Sequence, residues 1–474
     1  MFQSCSSGAQ LHHTVRKFTY TLIAFLCGSA LLFPSLAWSI PAPKGVKIGS
    51  KGKFHPRLYF NFGYDSNVFT RSNQSDIRDN SPEGNIVGAP YLSIRPGIEL
   101  DIPTDSVEFY LGGYANYTHF FPFTNLNTIT AKADVSLKVL PKGVFSFEVY
   151  NNFSRNTGDA TTARDTFAQT LFYYAPGTQT GSVFITHNNT AGVNFNVKPG
   201  GGSLLFDFGY AFNFGIYPNT NLDHHVHGFH FNVNWKFFPR TAFTFESDFR
   251  IVNFAPGFNT AVDGSNVDSM PLRLYVGMAG QLTERIILRA RIGSGYTFAA
   301  DRSTTDNLPN DNYTMVIGNV DFTYQFRLTT FIRLGFAHTF DYSQFSNFMH
   351  ETSGYVEFKT QFGPPVRPFQ LGIRASGGYL GFGKIPVTVN VGGESGSVRF
   401  NSRDINDDDT INRADFFVRG QVDFDWYPFP FWMVGITGKV AFRNSNTFVV
   451  VDNNNQLGFG FFKFDVLFKT EVAY

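Results

Sequence analysis

The chain has 474 residues, of which 57 are Phe and 17% are aromatic, and 38 basic against 37 acidic residues leave it close to neutral. That balance gives no electrostatic reason to expect a nucleic-acid partner, and so many aromatics with only 16% charged residues exclude a disordered chain. Beyond residue 56 no run reaches the roughly 18 to 20 apolar residues of a membrane-spanning helix, which excludes helical membrane proteins.

In chain order, the first forty residues read as an address. Arg16 and Lys17 precede an apolar stretch from Phe18 to Phe33, and the small residues Ser35, Ala37 and Ser39 follow. This is the order of a secretory signal peptide, expected over residues 1–39, with 40–56 a short periplasmic N-terminal segment and 57–474 the folded body. Both cysteines, Cys5 and Cys27, fall in the segment to be removed, so the mature chain is expected to be free of thiols. Leu26 stands where a lipid-acceptor Cys27 would need a small residue.

From there amphipathic stretches are separated alternately by tight turns and by long polar connections. Strands are predicted near 57–69, 89–102, 106–121, 127–140, 143–155, 186–198, 203–217, 225–238 and 241–254. The series continues at 271–282, 286–299, 313–328, 331–343, 351–363, 367–380, 413–427, 431–444 and 457–474. From Ser203 to Tyr217 one parity holds Leu204, Phe206, Phe208, Tyr210, Phe212, Phe214 and Ile216, the other Asp207, Gly209, Ala211, Asn213 and Gly215. Period-2 alternation over that length covers the roughly 9 to 11 residues of a tilted membrane strand. The tight set includes Pro103-Thr104-Asp105, Pro141-Lys142-Gly143, Pro199-Gly200-Gly201-Gly202, Pro239-Arg240-Thr241 and Pro364-Pro365. The fold class is therefore all-β, a transmembrane antiparallel up-and-down β-barrel of about 18 strands; a count of about sixteen satisfies the same rhythm. An even count puts both termini and the tight turns on the periplasmic side. The long connections, among them 156–185 and 381–412, then face outward. A soluble sandwich would need Lys, Glu and Thr on its outward parity. Here that parity carries Gly, Asn, Tyr and paired charges, and the strands end in aromatic clusters such as Trp426, Tyr427, Phe429, Phe431 and Trp432, as membrane-interface girdles do.

The last strand sets Phe462, Phe464, Val466, Phe468, Thr470, Val472 and Tyr474 on one parity against Lys463, Asp465, Lys469 and Glu471. This resembles the C-terminal signal of outer-membrane proteins, an alternating strand with an aromatic end; Phe468, Val472 and Tyr474 carry that resemblance. It implies outer-membrane lipids and the barrel assembly machinery as partners, and the outer membrane of a Gram-negative bacterium as location.

A barrel of this size encloses more space than side chains fill. By parity, Arg289, Arg291, Arg327, Arg333, Arg374, Arg419, Lys439 and Arg443 face inward, beside Asp321, Asp341, Glu357, Asp415, Asp423 and Asp425. These are the candidate pore-lining residues: guanidinium groups facing carboxylates set a transverse field that selects polar solutes, and the same groups equally form a static network that stiffens the wall. Inward aromatics such as Tyr59, Tyr110, Tyr114, Tyr150, Tyr275 and Tyr355 offer stacking faces to sugars, or simply pack.

An enzymatic reading finds no support, since His119, His187, His338 and His350 have no spacing that predicts a catalytic partner. His224, His225, His227 and His230 form the one dense cluster; positions 225 and 227 share a face, which suits weak zinc or copper capture less well than a hydrated loop-to-strand junction. The run Asn406-Asp407-Asp408-Asp409 lacks the glycine-punctuated spacing of a calcium loop. No catalytic residue, metal or cofactor is expected.

The first two strands carry a family resemblance. Tyr64-Asp65-Ser66-Asn67-Val68-Phe69, followed by Pro96-Gly97-Ile98-Glu99-Leu100, is similar to the opening of the β-barrel porin 2 family. That resemblance implies a large barrel, a link to exopolysaccharide export across the outer membrane, and periplasmic polysaccharide-export components as partners. Asp65 and Asn67 are expected to order the loop rather than bind a ligand. Beside the export conduit stand passive uptake of small polar solutes or sugars, through a pore narrowed by an inward loop such as 156–185 or 381–412, and a structural or adhesive surface barrel.

Overall fold

The computed structural model describes residues 45–68, 86–157, 185–216, 223–254, 268–299, 312–343, 346, 348–364, 366–386, 388–390, 397–402, 410–452, 455–458 and 460–474. The expected signal peptide, both cysteines, Phe69 and the run 406–409 lie outside them.

Eighteen long strands make one sheet. They are β1 (Gly52–Asp65), β2 (Ala89–Pro103), β3 (Val107–Phe120), β4 (Thr128–Val139), β5 (Phe145–Thr157) and β6 (Ile185–Val197). Next come β7 (Leu204–Ile216), β8 (His224–Phe238), β9 (Thr241–Phe254), β10 (Ser269–Gln281), β11 (Ile286–Ala299) and β12 (Thr314–Arg327). The last are β13 (Thr330–Asp341), β14 (Met349–Phe362), β15 (Phe369–Phe382), β16 (Ala414–Phe429), β17 (Trp432–Ser445) and β18 (Phe461–Ala473). Each pairs antiparallel with the next, and β1 pairs with β18 from Arg57↔Ala473 to Asp65↔Asp465, which closes the barrel. The tight turns all lie at the end that also holds both ends of the folded chain.

Alternation explains which way the wall faces. Phe62 is 52% exposed, Ile292 60% and Val316 63%, and most of their neighbours of like parity are apolar too. Leaving such side chains in water forgoes about 1.5–3 kcal/mol each, a cost that vanishes when the surrounding medium is hydrocarbon. At the tight-turn end Phe429 stacks on Phe431 and Trp432, with centroids 5.5 and 6.1 Å away. The Trp432 indole donates to Thr470 Oγ1 at 2.8 Å, the amphipathic arrangement of an interfacial girdle.

Two features depart from the sequence expectation. The first strand begins at Gly52 rather than near residue 57, and Val46–Ile48 folds back along it as a short extra strand. Pro56 lies within this strand at the last step of the seam: its carbonyl accepts from Tyr474 N at 3.1 Å, and the Tyr474 carbonyl, which a proline cannot bond, is met by the His55 ring at 3.1 Å. Secondly, the connections after β15 and β17, read as plain loops, share a four-stranded sheet of Thr388–Asn390, Ser397–Ser402, Thr447–Asp452 and Asn455–Gly458. Runs of three to six residues are too short for their period to show, and the central pairing joins segments from different loops.

The YDSNVF motif closes the seam. Asn67 N donates to Asp65 Oδ1 at 2.9 Å in an Asx turn, and Asn67 Nδ2 donates to the Phe462 carbonyl at 3.3 Å. Ser66 N donates to Phe464 O while Phe464 N donates to Ser66 Oγ, and the Lys463 ammonium meets Asp65 at 2.6 Å. Asp65 and Asn67 thus order the strand end. Replacing Asp65 by Ala removes the turn acceptor and strands Lys463, a loss on the order of 2–4 kcal/mol for a mostly buried pair. Asp65→Ala is expected to lower the temperature at which the folded band converts on semi-native gels, and Asp65→Asn, which keeps the acceptor, to fall between it and the wild type.

Candidate functional site

The inner face of the barrel is the candidate site, and strand register assigns its residues to two sectors. Arg289 and Asp321 are direct partners across β11 and β12, and Arg333 partners Glu357 across β13 and β14. In the first sector the charges are consumed locally. Arg289 reaches Glu246 at 2.9 Å, Arg291 pairs with the same carboxylate and with Asn319, and Arg333 holds Asp321 at 3.2 Å. Tyr355 also donates to Asp321. This is the stiffening network that parity allowed.

The second sector, on β15 to β18, is cationic. Arg374, Gln421, Lys439 and Asp465 lie on one line of pairing, with Ser376, Arg419, Ala441 and Lys463 on the next. Arg374 and Lys439 have no carboxylate within salt-bridge distance among the described residues. Asp423, by contrast, is held by Lys469 at 3.1 Å, Gln421 at 2.7 Å and Thr437. Arg327 stands apart from the other pore-lining candidates. It sits past a register shift beside the β12–β13 turn, opposite Thr330, because the bulge there breaks the count on which parity depends.

The tyrosines lie flat along this wall. The Tyr355 ring covers Gly335 and the Tyr150 ring covers Gly192, where an added Cβ would come within 2.0 and 2.5 Å of ring atoms. Guanidinium groups occupy several remaining faces: Arg95 lies 3.9 Å from the Tyr59 centroid and 5.1 Å from that of Tyr114, Arg291 4.5 Å from Tyr275, and Arg333 and Arg374 5.5 and 5.2 Å from Tyr355. Packing and cation–π contacts account for these rings.

Near the outward end the tip joining β13 to β14 leaves the wall and enters the lumen. Phe340 stacks on Tyr313 at 4.5 Å. Asp341 meets Arg273 at 3.0 Å and Arg250 at 3.5 Å on β10 and β9. Tyr342 Oη hydrogen-bonds His224 Nε2 at 3.0 Å on β8, five strands away round the wall, and packs into a buried cluster with Val226 and Val252. An inward-folded constriction was expected from 156–185 or 381–412; segment 158–184 lies outside the described residues, and the inward residues the structure describes are 340–343, 346 and 348. Its signal was faint but present, since Val226, Val252 and Ile317 are apolar residues on the polar parity.

A second closure lies at the start of β16. Arg413, Asp415 and Arg443 are 1%, 0% and 4% exposed. Arg413 grips Asp415 at 2.8 Å and Arg443 binds the same oxygen. Burial pulls the Arg413 guanidinium down to about 10 even with Asp415 beside it. Asp415 and Arg443 therefore belong to a sealed ion triad.

The histidine cluster is dispersed. His224 bonds Tyr342, His225 bonds Asn253 at 3.2 Å, His227 bonds Tyr210 at 2.8 Å and His230 faces Asp207 at 3.6 Å. Among the described residues no group of three His, Cys, Asp or Glu is placed to hold a metal ion.

A closed antiparallel barrel of 18 strands with an apolar outer band and a polar, charged lumen is a multi-pass outer-membrane β-barrel of porin or transporter architecture. No protein-family model matches the chain, and no curated protein matches it. Among solved structures it is similar to Pseudomonas aeruginosa OpdQ, with 10% identity over 89% of this chain and 98% of that one and a TM-score of 0.39. It is also similar to Pseudomonas aeruginosa OccK2 (OpdF) in complex with glucuronate, with 8% identity over 88% and 97% and a TM-score of 0.42. The siderophore receptor PirA from Pseudomonas aeruginosa aligns at 8% identity over 90% of this chain and 81% of its own, with a TM-score of 0.42.

Asp341→Ala removes both arginine contacts of the inward tip, together worth on the order of 2 kcal/mol. The variant is expected to raise single-channel conductance and current noise in planar bilayers, whereas unchanged conductance would show that the tip does not narrow the conducting path.

Proposed function

We propose that the barrel is a passive conduit for small polar solutes across the outer membrane. The tip latched by Asp341 and Tyr342 to β8, β9 and β10 carries this reading. A segment held over that part of the lumen narrows the path, and the charged lining below it favours polar solutes. Below the tip a cavity of about 420 Å³ opens between Asn188, Asn213, His230, Asp248 and Arg250, room for a solute of modest size.

The export reading rests on the resemblance of Tyr64–Phe69 to the β-barrel porin 2 family. It asks for a wide lumen with free aromatic faces for a sugar chain, and the inward tyrosines offer few, since Tyr59, Tyr114, Tyr275 and Tyr355 are stacked with arginine. Neither reading assigns chemistry to the lining residues.

Two measurements separate the readings. Proteoliposomes containing the barrel are expected to swell in isosmotic monosaccharide, more slowly in disaccharide and hardly at all in larger oligosaccharide, while a gene deletion leaves surface polysaccharide unchanged. Loss of surface polysaccharide on deletion, with no swelling in any sugar, would replace this reading by export.

A further inference from the structure

We propose that the lipid-facing side of β5 to β9 carries, at its outer edge, a docking site for the phosphate-bearing headgroup of an outer-leaflet lipid. The site lies outside the lumen and does not depend on what the barrel conducts. Parity places its residues. Arg155 shares a face of β5 with the exposed Phe145 and Val149, and His225 and His227 share a face of β8 with the exposed Phe229, Phe231 and Trp235. The opposite parity of β6 to β9 borders the lumen with Asn188, Asn213, His230 and Arg250. Ladder register brings the outward groups together: Arg155 is the cross-strand partner of His187, and His187 that of Ile216. Two residues along β7, Phe214 partners His225, which in turn partners Asn253.

Their height follows from strand geometry. Ten residues separate Trp235, at the tight-turn end, from His225, and ten separate Phe145 from Arg155. At about 3.3 Å per residue along a strand tilted by about 40°, that is roughly 25 Å of height, the thickness of the apolar band. The guanidinium and the imidazoles therefore stand at the level of the outer headgroups. All the described tryptophans, Trp235, Trp426 and Trp432, belong to the other rim, so the two girdles differ in chemistry.

Nothing on the protein answers the charge of Arg155. Among the described residues it has neither a salt bridge nor a ring contact, and its Nε is covered without an acceptor. No outward position of β5 to β9 holds a carboxylate. His225 spends Nε2 on Asn253, and His227 spends Nδ1 on Tyr210. The second ring nitrogen of each has no hydrogen-bond partner among the described residues. A guanidinium without counter-charge at the edge of hydrocarbon is costly, and phosphate is the acceptor that its planar fork matches in bidentate fashion.

Toward the membrane centre the same face turns aromatic. Tyr210 lies 5.2 Å from Phe229, and Phe229 stacks on Phe249 at 6.3 Å. Donors above a wall of rings fit an amphiphile, whose chains lie on the rings while its phosphate meets the donors; a free phosphate ion would use only the upper half. A second copy of the chain fits less well, since a two-fold contact through this face would set Arg155 near its own equivalent with no carboxylate between them.

Native mass spectrometry of the delipidated barrel in detergent provides the test, with bis-phosphorylated lipid A, its dephosphorylated form and inorganic phosphate as probes. The wild type is expected to be half-saturated by lipid A at a concentration at least about ten-fold below that of the dephosphorylated form, and to keep it in the presence of equimolar phosphate. The double variant Arg155→Leu, His187→Leu is expected to bind the two lipids equally. The folded-band shift on semi-native gels reports its assembly; should it not assemble, the single variant Arg155→Gln answers the same question. Equal binding of the two lipids by the wild type, or a preference that persists in an assembled variant, overturns the site. Displacement of lipid A by equimolar phosphate overturns the lipid assignment, as does a dimer that retains no lipid and is lost in the double variant.

Discussion

Closure of the backbone ladder between β1 and β18 is the constraint on which the rest of the molecule depends. In hydrocarbon an unpaired N–H or carbonyl has no water to turn to and costs several kcal/mol, so an open edge fourteen residues long is not a viable state. The closure falls between the first and last strands, far apart in sequence, and its contacts carry the entropy of closing the whole chain. This explains why the seam is reinforced beyond its ladder bonds. The Asx turn of Asp65 and Asn67, the Ser66–Phe464 exchange and the Lys463–Asp65 pair concentrate on one rim of that single junction.

Closure also decides what the inner face has to do. With the outward positions given mainly to apolar side chains, most charge on the strands is turned to the lumen, where unlike charges within a few ångströms pair unless register keeps them apart. On β9 to β14 register brings arginines and carboxylates together, and Glu246 and Asp321 gather them. On β15 to β17 Arg374 and Lys439 face Gln421 along the same line, with no carboxylate between them. A shift of one pairing step would move whole strands to the wrong face, so the division into a rigid sector and a cationic one is fixed by the same ladder that closes the barrel.

The wall was legible in the sequence because its period is long and its punctuation regular. Strands such as β7 and β16 announce themselves through thirteen and sixteen residues of alternation, and parity then names an inner face. Parity is blind where the count breaks or the chain leaves the wall. The bulge before Arg327 takes that residue out of line with the other arginines. The tip with Phe340, Asp341 and Tyr342 is only the end of a hairpin in one dimension, and nothing near it in sequence mentions His224 or Arg250. Its partners betray it only through apolar residues on a polar parity, Val226 and Val252, and that clue acquires meaning once β8 and β9 are in place. The shared outer sheet was hidden for a related reason, since Ser397–Ser402 and Thr447–Asp452 come from different loops and neither repeats long enough to show a strand.

The two inward features act on a solute in different ways. The β13–β14 tip is held by three contacts to β8, β9 and β10, so its position follows that part of the wall and it adds bulk to the lumen. The row on β15 to β17 lies round the barrel from those anchors and contributes charge rather than bulk. On β9 to β14, by contrast, the carboxylates of Glu246 and Asp321 are neutralised by Arg291 and Arg333. Bulk and charge in the lumen are in this way carried by separate parts of one closed sheet, and both rest on the ladder that closes it.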